Sequence, residues 1–343
     1  MKDIKGLLPN DLCNFVISLG EPAYRGDQIF SWIHKHGVCS FQDMKNLPLT
    51  FREELERTSY ITCLNVRSKD KGRKGTVKYL LETHDNNAVE AVRMKYGYGV
   101  TACLSTQIGC KMACSFCASG MSGFIRNLTA SEITDEALRI REDLIQDNIN
   151  IRNIVLMGVG EPLDNYEASI QALRIFNSKE GLGISFRRMT ISTCGLIPGI
   201  KRLAEEGIPV TLSVSLHAAT DDIRQKLMPI NRQYPIKQLM NAAAYFQERT
   251  GRRVTFEYAL IRDINDSDSD AYRLVDLLQK RSGHVNLIPL NPVIGKGYIR
   301  STSTRINKFR NILKAASIPV TIRRGLGLDV NAACGQLRRR YCR

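Results

Sequence analysis

Three cysteines, Cys110, Cys114 and Cys117, lie in a Cys-x3-Cys-x2-Cys pattern. Three thiolates on one short loop can hold three irons of a 4Fe-4S cluster, which leaves the fourth iron open to an exogenous ligand. A cluster with such an open position can be catalytic. A zinc site would need a fourth ligand, for which His217 or Cys103 could serve, but the sequence has no second paired ligand group. The spacing therefore favours a cluster over zinc.

Further polar residues follow several apolar segments that we interpret as strands. Because the carboxyl ends of parallel strands form the functional edge of an α/β barrel, these residues are expected to line one cavity. They follow the strands predicted at 153–157, 188–192, 210–216 and 284–288, and they are Gly158, Gly160, Glu161, Ser192, Thr193, Cys194, Ser213, Ser215, His217 and Asn291. Gly158 and Gly160 alone are weak evidence for a phosphate-binding loop.

Strands and helices alternate from about residue 104 onward, which predicts an α/β fold with a parallel sheet and helical crossovers. The remaining strands are predicted at 254–260 and 318–322. The helices are predicted at 129–147, 165–177, 197–206, 235–249, 268–281 and 304–316. Residues 1–58 predict a small helical domain, and 59–98 a connecting region with a β-hairpin at 76–81 and 88–92. Residues 99–343 form the predicted barrel core.

The 343-residue chain has 49 Lys+Arg and 34 Asp+Glu, a net charge of +15. Such a charge favours a polyanionic partner, which for a cytoplasmic protein indicates RNA or DNA. Candidate phosphate contacts are the helical domain, the basic stretch 67–74, interpreted as a loop, and the tail 338–343. No window of 18 apolar residues and no secretory signal is found, so we expect a cytoplasmic protein without a membrane span. Its ten cysteines are not expected to form structural disulfides.

The cysteine motif, with an aromatic residue before its last cysteine and a β/α chain after it, resembles the radical S-adenosylmethionine (SAM) superfamily. More specifically, the whole chain resembles the RlmN family of adenine-C2 methyltransferases that act on 23S rRNA and tRNA. The segments that support this resemblance are Cys103–Cys110, Arg126–Leu128, Met157–Leu163, Ser215–Ala218 and Ala332–Leu337. The resemblance implies a partial (β/α)6 radical SAM barrel preceded by a small N-terminal helical domain.

The resemblance also implies a role for each matching residue. The cluster ligands are Cys110, Cys114 and Cys117. The SAM contacts are Gly160, Glu161, Ser192, Ser215, Leu216, His217 and Asn291, with Glu161 meeting the methionine amine. The catalytic residues are Glu90, Cys103 and Cys334.

The implied reaction uses one 4Fe-4S cluster per chain and consumes two SAM molecules per turnover. One SAM methylates Cys334, and reductive cleavage of the second activates that methyl group for attachment to adenine carbon 2. Glu90 removes the ring proton, and Cys103 releases the product through a transient disulfide with Cys334. The implied partners are 23S rRNA, tRNA and an electron donor such as flavodoxin, and the chain is expected to be a monomer.

One residue departs from the family pattern, and two alternative functions remain open. Asn331 stands where the family usually has Asp, which affects a carboxylate expected to order the loop before Cys334. The related C8-adenine rRNA methyltransferase (Cfr-like) shares the cysteines and the barrel, although Arg323, Arg324 and the segment 256–260 are closer to the C2 family. We expect the two arginines near the mouth of the active site. A more distant alternative is a non-catalytic, metal-stabilised RNA-binding protein.

Overall fold

The computed structural model describes residues 1–121, 123–279, 283–323 and 325–337. The N-terminal elements are β1 (Lys2–Asp3), α1 (Pro9–Ser18), α2 (Tyr24–Ser31), α3 (Leu49–Thr58) and β2 (Ser59–Tyr60). They enclose a hydrophobic core of their own that includes Ile4, Leu12, Phe30 and Leu55, each fully buried. α1 begins at a proline, which fits the first turn of a helix because no backbone donor is needed there. The helices predicted in this region are therefore present.

An antiparallel region follows: β3 (Asn65–Lys71), β4 (Val77–Glu82), β5 (Ala88–Tyr96), β6 (Gly99–Leu104), β7 (Gln107–Gly109) and β8 (Phe124–Asn127). The predicted hairpin corresponds to β4 and β5. The prediction of a loop at 67–74 is wrong for most of its length, because 67–71 belong to β3. Arg67, Lys69 and Lys71 occupy its exposed positions. Charged side chains on an edge strand discourage pairing with other chains.

The barrel contains α4 (Ala130–Ile145), β9 (Ile151–Leu156), α5 (Tyr166–Asn177), β10 (Met189–Thr193), α6 (Ile197–Glu205), β11 (Thr211–Ser215), α7 (Asp221–Leu227), α8 (Ile236–Thr250), β12 (Val254–Leu260), α9 (Asp268–Leu278), β13 (Gly283–Pro289), α10 (Ser303–Ala315) and β14 (Val320–Ile322). β6 and β9 to β13 run parallel, and β14 continues them. The partial (β/α)6 barrel is thus confirmed. Thr129 and Glu132 form the capping box of α4.

The sheet places inward side chains in layers. On β11, Ser213 and Ser215 face the interior two residues apart, and Ser213 is paired in register with Ser192 of β10. The outward side chains pack against the helices in one large core that includes Ile154, Leu212 and Phe256. Successive residues of a strand point to opposite faces. The inner surface can therefore be polar while the outer surface is apolar.

A disulfide joins Cys39 and Cys63, so the expectation of no structural disulfide is wrong. Cys39 follows the helical turn after α2, and Cys63 follows β2. The fold brings these two loops together beside Lys5 and Arg139, whose cationic groups lie 3.6 Å from the two sulfurs. The distant sequence positions gave no indication of this proximity. Within the described residues, no helix is long and apolar enough to span a membrane.

Candidate active site

A cavity of about 160 Å³ lies at the carboxyl ends of the parallel strands. It brings together most of the predicted site residues, which come from six separate segments of the chain. These are Cys110, Cys114, Cys117, Gly160, Glu161, Ser192, Ser215, His217, Asn291 and Cys334. The prediction that polar residues at strand ends line one cavity is confirmed except for Ser213, which lines a different cavity.

The cysteine loop is held in shape by its backbone. The amide of Cys117 donates to the carbonyl of Cys114 at 3.2 Å, and the amide of Ser115 donates to Leu227 at the end of α7. Ala113 adopts a left-handed backbone with φ of 52°. The three sulfurs therefore face the cavity from a defined turn.

The donor set fits a cluster better than one metal ion. Within the described ranges, no three Cys, His, Asp or Glu side chains are placed to share a single metal. A 4Fe-4S cluster instead takes one thiolate on each of three irons. Burial raises the pKa of Cys110 to about 12, so its thiolate needs a nearby positive charge, which iron provides. Cys110, Cys114 and Cys117 would hold this group.

Gly160 and Glu161 lie beside the cysteine loop. Gly160 has φ of 108°, and a Cβ there would lie 2.6 Å from Cβ of Gln107, so only glycine fits. Both carboxylate oxygens of Glu161 accept backbone hydrogen bonds, from Leu163 at 3.1 Å and from Cys194 at 2.7 Å. Burial nevertheless raises the pKa of Glu161. A buried, oriented carboxylate of this kind can receive an amine.

His217 lies against the cysteine loop in a neutral form. Its Nδ1 accepts from the amide of Ala259 at 2.9 Å, and this leaves Nε2 to carry the proton. Burial lowers the pKa of His217 to about 3. Its ring meets Phe116 edge to face, with centroids 4.9 Å apart. The imidazole is thus a fixed neutral donor on the cavity wall.

The loop with Cys334 closes the cavity from the C-terminal side. The carbonyl of Cys334 accepts from Nδ2 of Asn291 at 3.0 Å. The amide of Ala118 donates to Gly335 at 2.8 Å, and Oγ of Ser119 donates to the carbonyl of Leu337 at 2.9 Å. The residues that follow the cluster cysteines are therefore hydrogen-bonded directly to the loop that contains Cys334.

Cys103 shares a smaller cavity of about 30 Å³ with Cys334 and Arg323. Both thiols are free, and burial raises the pKa of each. The guanidinium of Arg323 opposes this rise at Cys334. Arg323 also lies 3.8 Å from Glu257. The expected position of Arg323 near the active site is confirmed, whereas Arg324 lies outside the described residues, as do 338–343.

Glu90 and Leu216 line neither the cavity of the cluster cysteines nor the smaller cavity of Cys103 and Cys334. Glu90 is buried on β5, 3.5 Å from Nζ of Lys78, and borders a separate small cavity that Asn331 also lines. Leu216 is fully buried in the main core. Their predicted roles stay predictions.

The loop before Cys334 has a carboxylate in spite of Asn331. Oδ2 of Asp329 accepts from the amide of Arg73 at 2.6 Å and so ties this loop to the turn after β3. Asn331 adopts a left-handed conformation with φ of 50°, which Asn tolerates better than most residues. The hydrogen bond between Asp329 and Arg73 therefore fixes the position of the loop before Cys334.

Sequence reasoning missed Arg224. It is fully buried on α7 and donates to the carbonyls of Leu216 at 3.1 Å and Cys194 at 2.7 Å and to the side chain of Asn231 at 2.8 Å. It fastens together the ends of β10 and β11, behind the cavity wall. Its spacing of three from the buried Leu227 on a short amphipathic segment was the available signal.

The fold and the donor set define a radical SAM enzyme, and a model of the Radical SAM superfamily matches residues 104–275. A model of the ribosomal RNA large subunit methyltransferase N-terminal domain matches residues 2–61. A radical SAM methyltransferase from Sphaerobacter thermophilus superposes with a TM-score of 0.95 at 42% identity, over 98% of this chain and 99% of that one.

Two curated relatives extend the match over the full length. A probable dual-specificity RNA methyltransferase RlmN of Alkaliphilus oremlandii is 47% identical over 99% of this chain and 98% of its own. The protein of the same description from Carboxydothermus hydrogenoformans is 48% identical over 94% of this chain and 93% of its own. The chain belongs to the RlmN family of radical SAM RNA methyltransferases.

Proposed function

We propose that this enzyme methylates carbon 2 of an adenine in 23S rRNA and in tRNA through a methylated Cys334. The observation that supports this most directly is the shared cavity of Cys103, Cys334 and Arg323, next to the cavity of the cluster cysteines. Two free thiols in one buried cavity suit a cysteine that forms a bond to the substrate and a second that breaks it.

The residues at the strand ends position the cofactors in this proposal. When bound, the cluster supplies the electron that cleaves SAM, and SAM supplies the methyl group. Glu161 receives the methionine amine, and His217 presents its Nε2 proton to the same cavity. Ser192, Ser215, Leu216 and Asn291 complete the SAM contacts. The cysteine loop and the loop with Cys334 cover part of this cavity, which limits the access of water to reactive species.

Cys334 holds the methyl group, and Arg323 beside it favours the thiolate that accepts this group. Glu90 takes the proton from the adenine ring. Its carboxylate lies 3.5 Å from Nζ of Lys78. Cys103 then attacks the sulfur of Cys334. The S–S bond forms as the bond between that sulfur and the transferred carbon breaks, and this carbon takes up a proton to become the methyl group of the free base. The electron that initiated SAM cleavage is given back at this stage.

We further propose that the enzyme works as a cytoplasmic monomer with a flavodoxin-type electron donor. The exposed cations and the positive net charge fit a polyanionic substrate.

The variants Cys334→Ala and Cys103→Ala separate the two cysteine roles. Cys334→Ala should abolish RNA methylation, and mass spectrometry of the variant should find no methylated cysteine. Cys103→Ala should accumulate RNA covalently attached at Cys334, visible as a shifted band on a denaturing gel. Cys13→Ala, a free cysteine on α1 outside the site, serves as the matched control. Normal turnover by Cys103→Ala would contradict the two-cysteine scheme.

A further inference from the structure

A second and larger cavity, of about 880 Å³, lies at the opposite end of the barrel. Its lining comes from the first residues of the strands: Arg152 on β9, Thr190 on β10, Thr211 on β11, Thr255 on β12 and His284 on β13. This is the amino-terminal mouth of the barrel. None of the predicted cluster ligands or SAM contacts lines this cavity.

The interior of this mouth is polar and hydrogen-bonded. Oγ1 of Thr321 lies 3.1 Å from Nε2 of His284 and 3.2 Å from Oδ1 of Asn286. Nδ2 of Asn286 donates to Glu257 at 2.9 Å, and Oγ of Ser213 donates to the other oxygen of Glu257 at 2.7 Å. A core that served only stability would be filled with apolar side chains instead.

The rim of the mouth is basic. Arg152, Arg187 and Arg188 are exposed and line the cavity, and Arg253 is exposed just before β12. Among the residues that the structure describes, no carboxylate lies within 4.0 Å of these four guanidinium groups. The turn that holds Arg187 and Arg188 is fixed by Ser185, whose Oγ accepts from the amide of Arg187. These cations are available to a polyanion.

The basic stretch that sequence reasoning favoured differs in this respect. In β3, the guanidinium of Arg67 lies 2.5 Å from Glu82, and Nζ of Lys69 lies 2.7 Å from Asp143. Two of its positive charges are already neutralised inside the protein. Lys71, Arg73 and Lys74 of the same stretch are exposed. The rim differs from the stretch because its arginines border a large polar cavity.

Two aromatic rings stand beside the arginines. Tyr96 and Tyr98 stack with centroids 5.0 Å apart and an interplanar angle of 5°. Tyr98 is 56% exposed, so the outer face of its ring is open. Exposed aromatic faces next to arginines are the surface that unstacked bases of single-stranded RNA use.

The mouth borders the two cavities that contain the reactive cysteines. Met157, Glu257 and Arg323 line both this cavity and the cavity that contains Cys334. Tyr96 lines both this cavity and the smaller one shared by Cys103 and Cys334. A base that passes the rim therefore meets the side chains of Met157, Glu257 and Arg323, which also border the cavity that contains Cys334.

We propose that the RNA substrate enters the barrel through this amino-terminal mouth. Phosphates beside the target adenine bind Arg152, Arg187 and Arg188, a neighbouring base stacks on Tyr98, and the unstacked adenine extends inward toward Cys334. This inference rests on the proposed function for the identity of the RNA, but the binding site can be tested without catalysis.

The test compares three charge-reversal variants of equal net charge in RNA binding. Arg187→Glu/Arg188→Glu changes the mouth. Lys71→Glu/Lys74→Glu changes the end of β3 and the turn that follows it, and Lys201→Glu/Lys237→Glu changes exposed positions on α6 and α8. Fluorescence anisotropy with a labelled RNA hairpin, at several salt concentrations, measures the dissociation constant. The cluster absorbance and SAM binding of each variant check that its active site is intact.

The mouth variant should bind RNA at least roughly tenfold more weakly than the wild type, with a salt slope lower by about 1 to 2. The variant on α6 and α8 should remain within about twofold of the wild type. Tyr98→Ala should weaken binding, whereas Tyr98→Phe should retain it because the ring remains. Equal weakening in all three charge variants would overturn the proposal, as would a loss confined to Lys71→Glu/Lys74→Glu.

Failure of the proposed function is distinguishable from failure of this inference. If the wild type binds RNA through the mouth but makes no methylated adenosine, the proposed function is wrong and the mouth stands as an RNA site. If the wild type makes methylated adenosine and the mouth variant binds RNA as tightly as the wild type, only the proposed entry of RNA through the mouth is wrong. An absence of RNA binding by the wild type would overturn both.

Discussion

The two ends of the barrel share the same strands but differ in volume, burial and charge. At the carboxyl ends, a cavity of about 160 Å³ is partly covered by two tethered loops, and the polar groups of Glu161 and His217 are hydrogen-bonded to the backbone. At the amino ends, about 880 Å³ is bordered by exposed arginines. Radical chemistry requires exclusion of water, whereas a polyanion requires accessible cations. One barrel can meet both requirements only if they are separated along the strands.

The two cavities lie only a short distance apart along the strands. On β11, Ser215 lines the cavity at the carboxyl ends. Ser213, two residues earlier on the same face, lines the cavity at the amino ends. Glu257 and Arg323 mark the boundary, since they line both cavities. The comparison predicts that substitutions at the carboxyl end destabilise the fold, whereas substitutions at the open end leave stability nearly unchanged.

The largest effect is expected at Arg224. Arg224→Met removes the donors to two buried carbonyls and to Asn231, and each unsatisfied group costs about 1–3 kcal/mol. The free energy of unfolding should fall by about 4 kcal/mol in denaturant titrations. Arg188→Met at the open end should change it by less than about 0.5 kcal/mol. Equal losses would contradict the difference between the two ends.

The next largest effect is expected at Gly160. Gly160→Ala places a Cβ 2.6 Å from Gln107 at a strained φ, so we expect a loss of about 3 kcal/mol together with weaker SAM binding by calorimetry. Gly207→Ala is the matched control, because it has φ of 69° and open space around it. It should lose only about 1 kcal/mol and bind SAM normally. Normal SAM binding by Gly160→Ala would separate this glycine from the cofactor site.

His217 gives a pH-dependent prediction. Its pKa falls from 6.5 in the unfolded chain to about 3 in the folded one, so the unfolded state binds the extra proton between these values. The contribution to stability is full above pH 6.5 and is lost as the pH falls. Between pH 7.5 and 5 the loss should be about 2 kcal/mol. Denaturant titrations should find this loss missing in His217→Gln.

His284 at the open end is the control for that measurement. It is half-buried, and burial lowers its pKa. His284→Gln should therefore remove a smaller part of the pH dependence than His217→Gln. The reverse order would show that the open end is the better shielded one.

The smallest effect is expected at Asp329, which orders the loop before Cys334. Asp329→Asn weakens its bond to the amide of Arg73, by about 1 kcal/mol, so amide hydrogen exchange in residues 325–337 should accelerate roughly fivefold. Asp276→Asn, an exposed change on α9, should leave this exchange unchanged. Unchanged exchange in Asp329→Asn would show that other contacts order the loop.

Much of the barrel was predictable because its strands are apolar runs bounded by turn residues. The predicted strand 254–260 matches β12, and the capping box at Thr129 fixed the start of α4. β3 was missed because its alternating charged residues lack the apolar side chains that indicate a strand. α7, with seven residues, was too short for its periodicity to be recognised.

The site was predictable where a residue type was itself informative. The cysteine motif and the polar residues at the strand ends met in one cavity because parallel strands end at the same edge. The burial of Arg224 and the proximity of Cys39 to Cys63 could not be predicted, since both depend on contacts between distant segments. The open mouth was missed because its arginines come from three distant parts of the chain, around residues 152, 187 and 253.

The most direct measurement is the identification of the methylated nucleoside. The anaerobic enzyme with a reconstituted cluster, SAM and a reductant is incubated with unmodified bacterial RNA, which is then digested and analysed by mass spectrometry against standards. The account predicts 2-methyladenosine in 23S rRNA and in tRNA. Only 8-methyladenosine would move the enzyme to the C8 reaction, and no methylated adenosine from an enzyme with an intact cluster would contradict the proposed function.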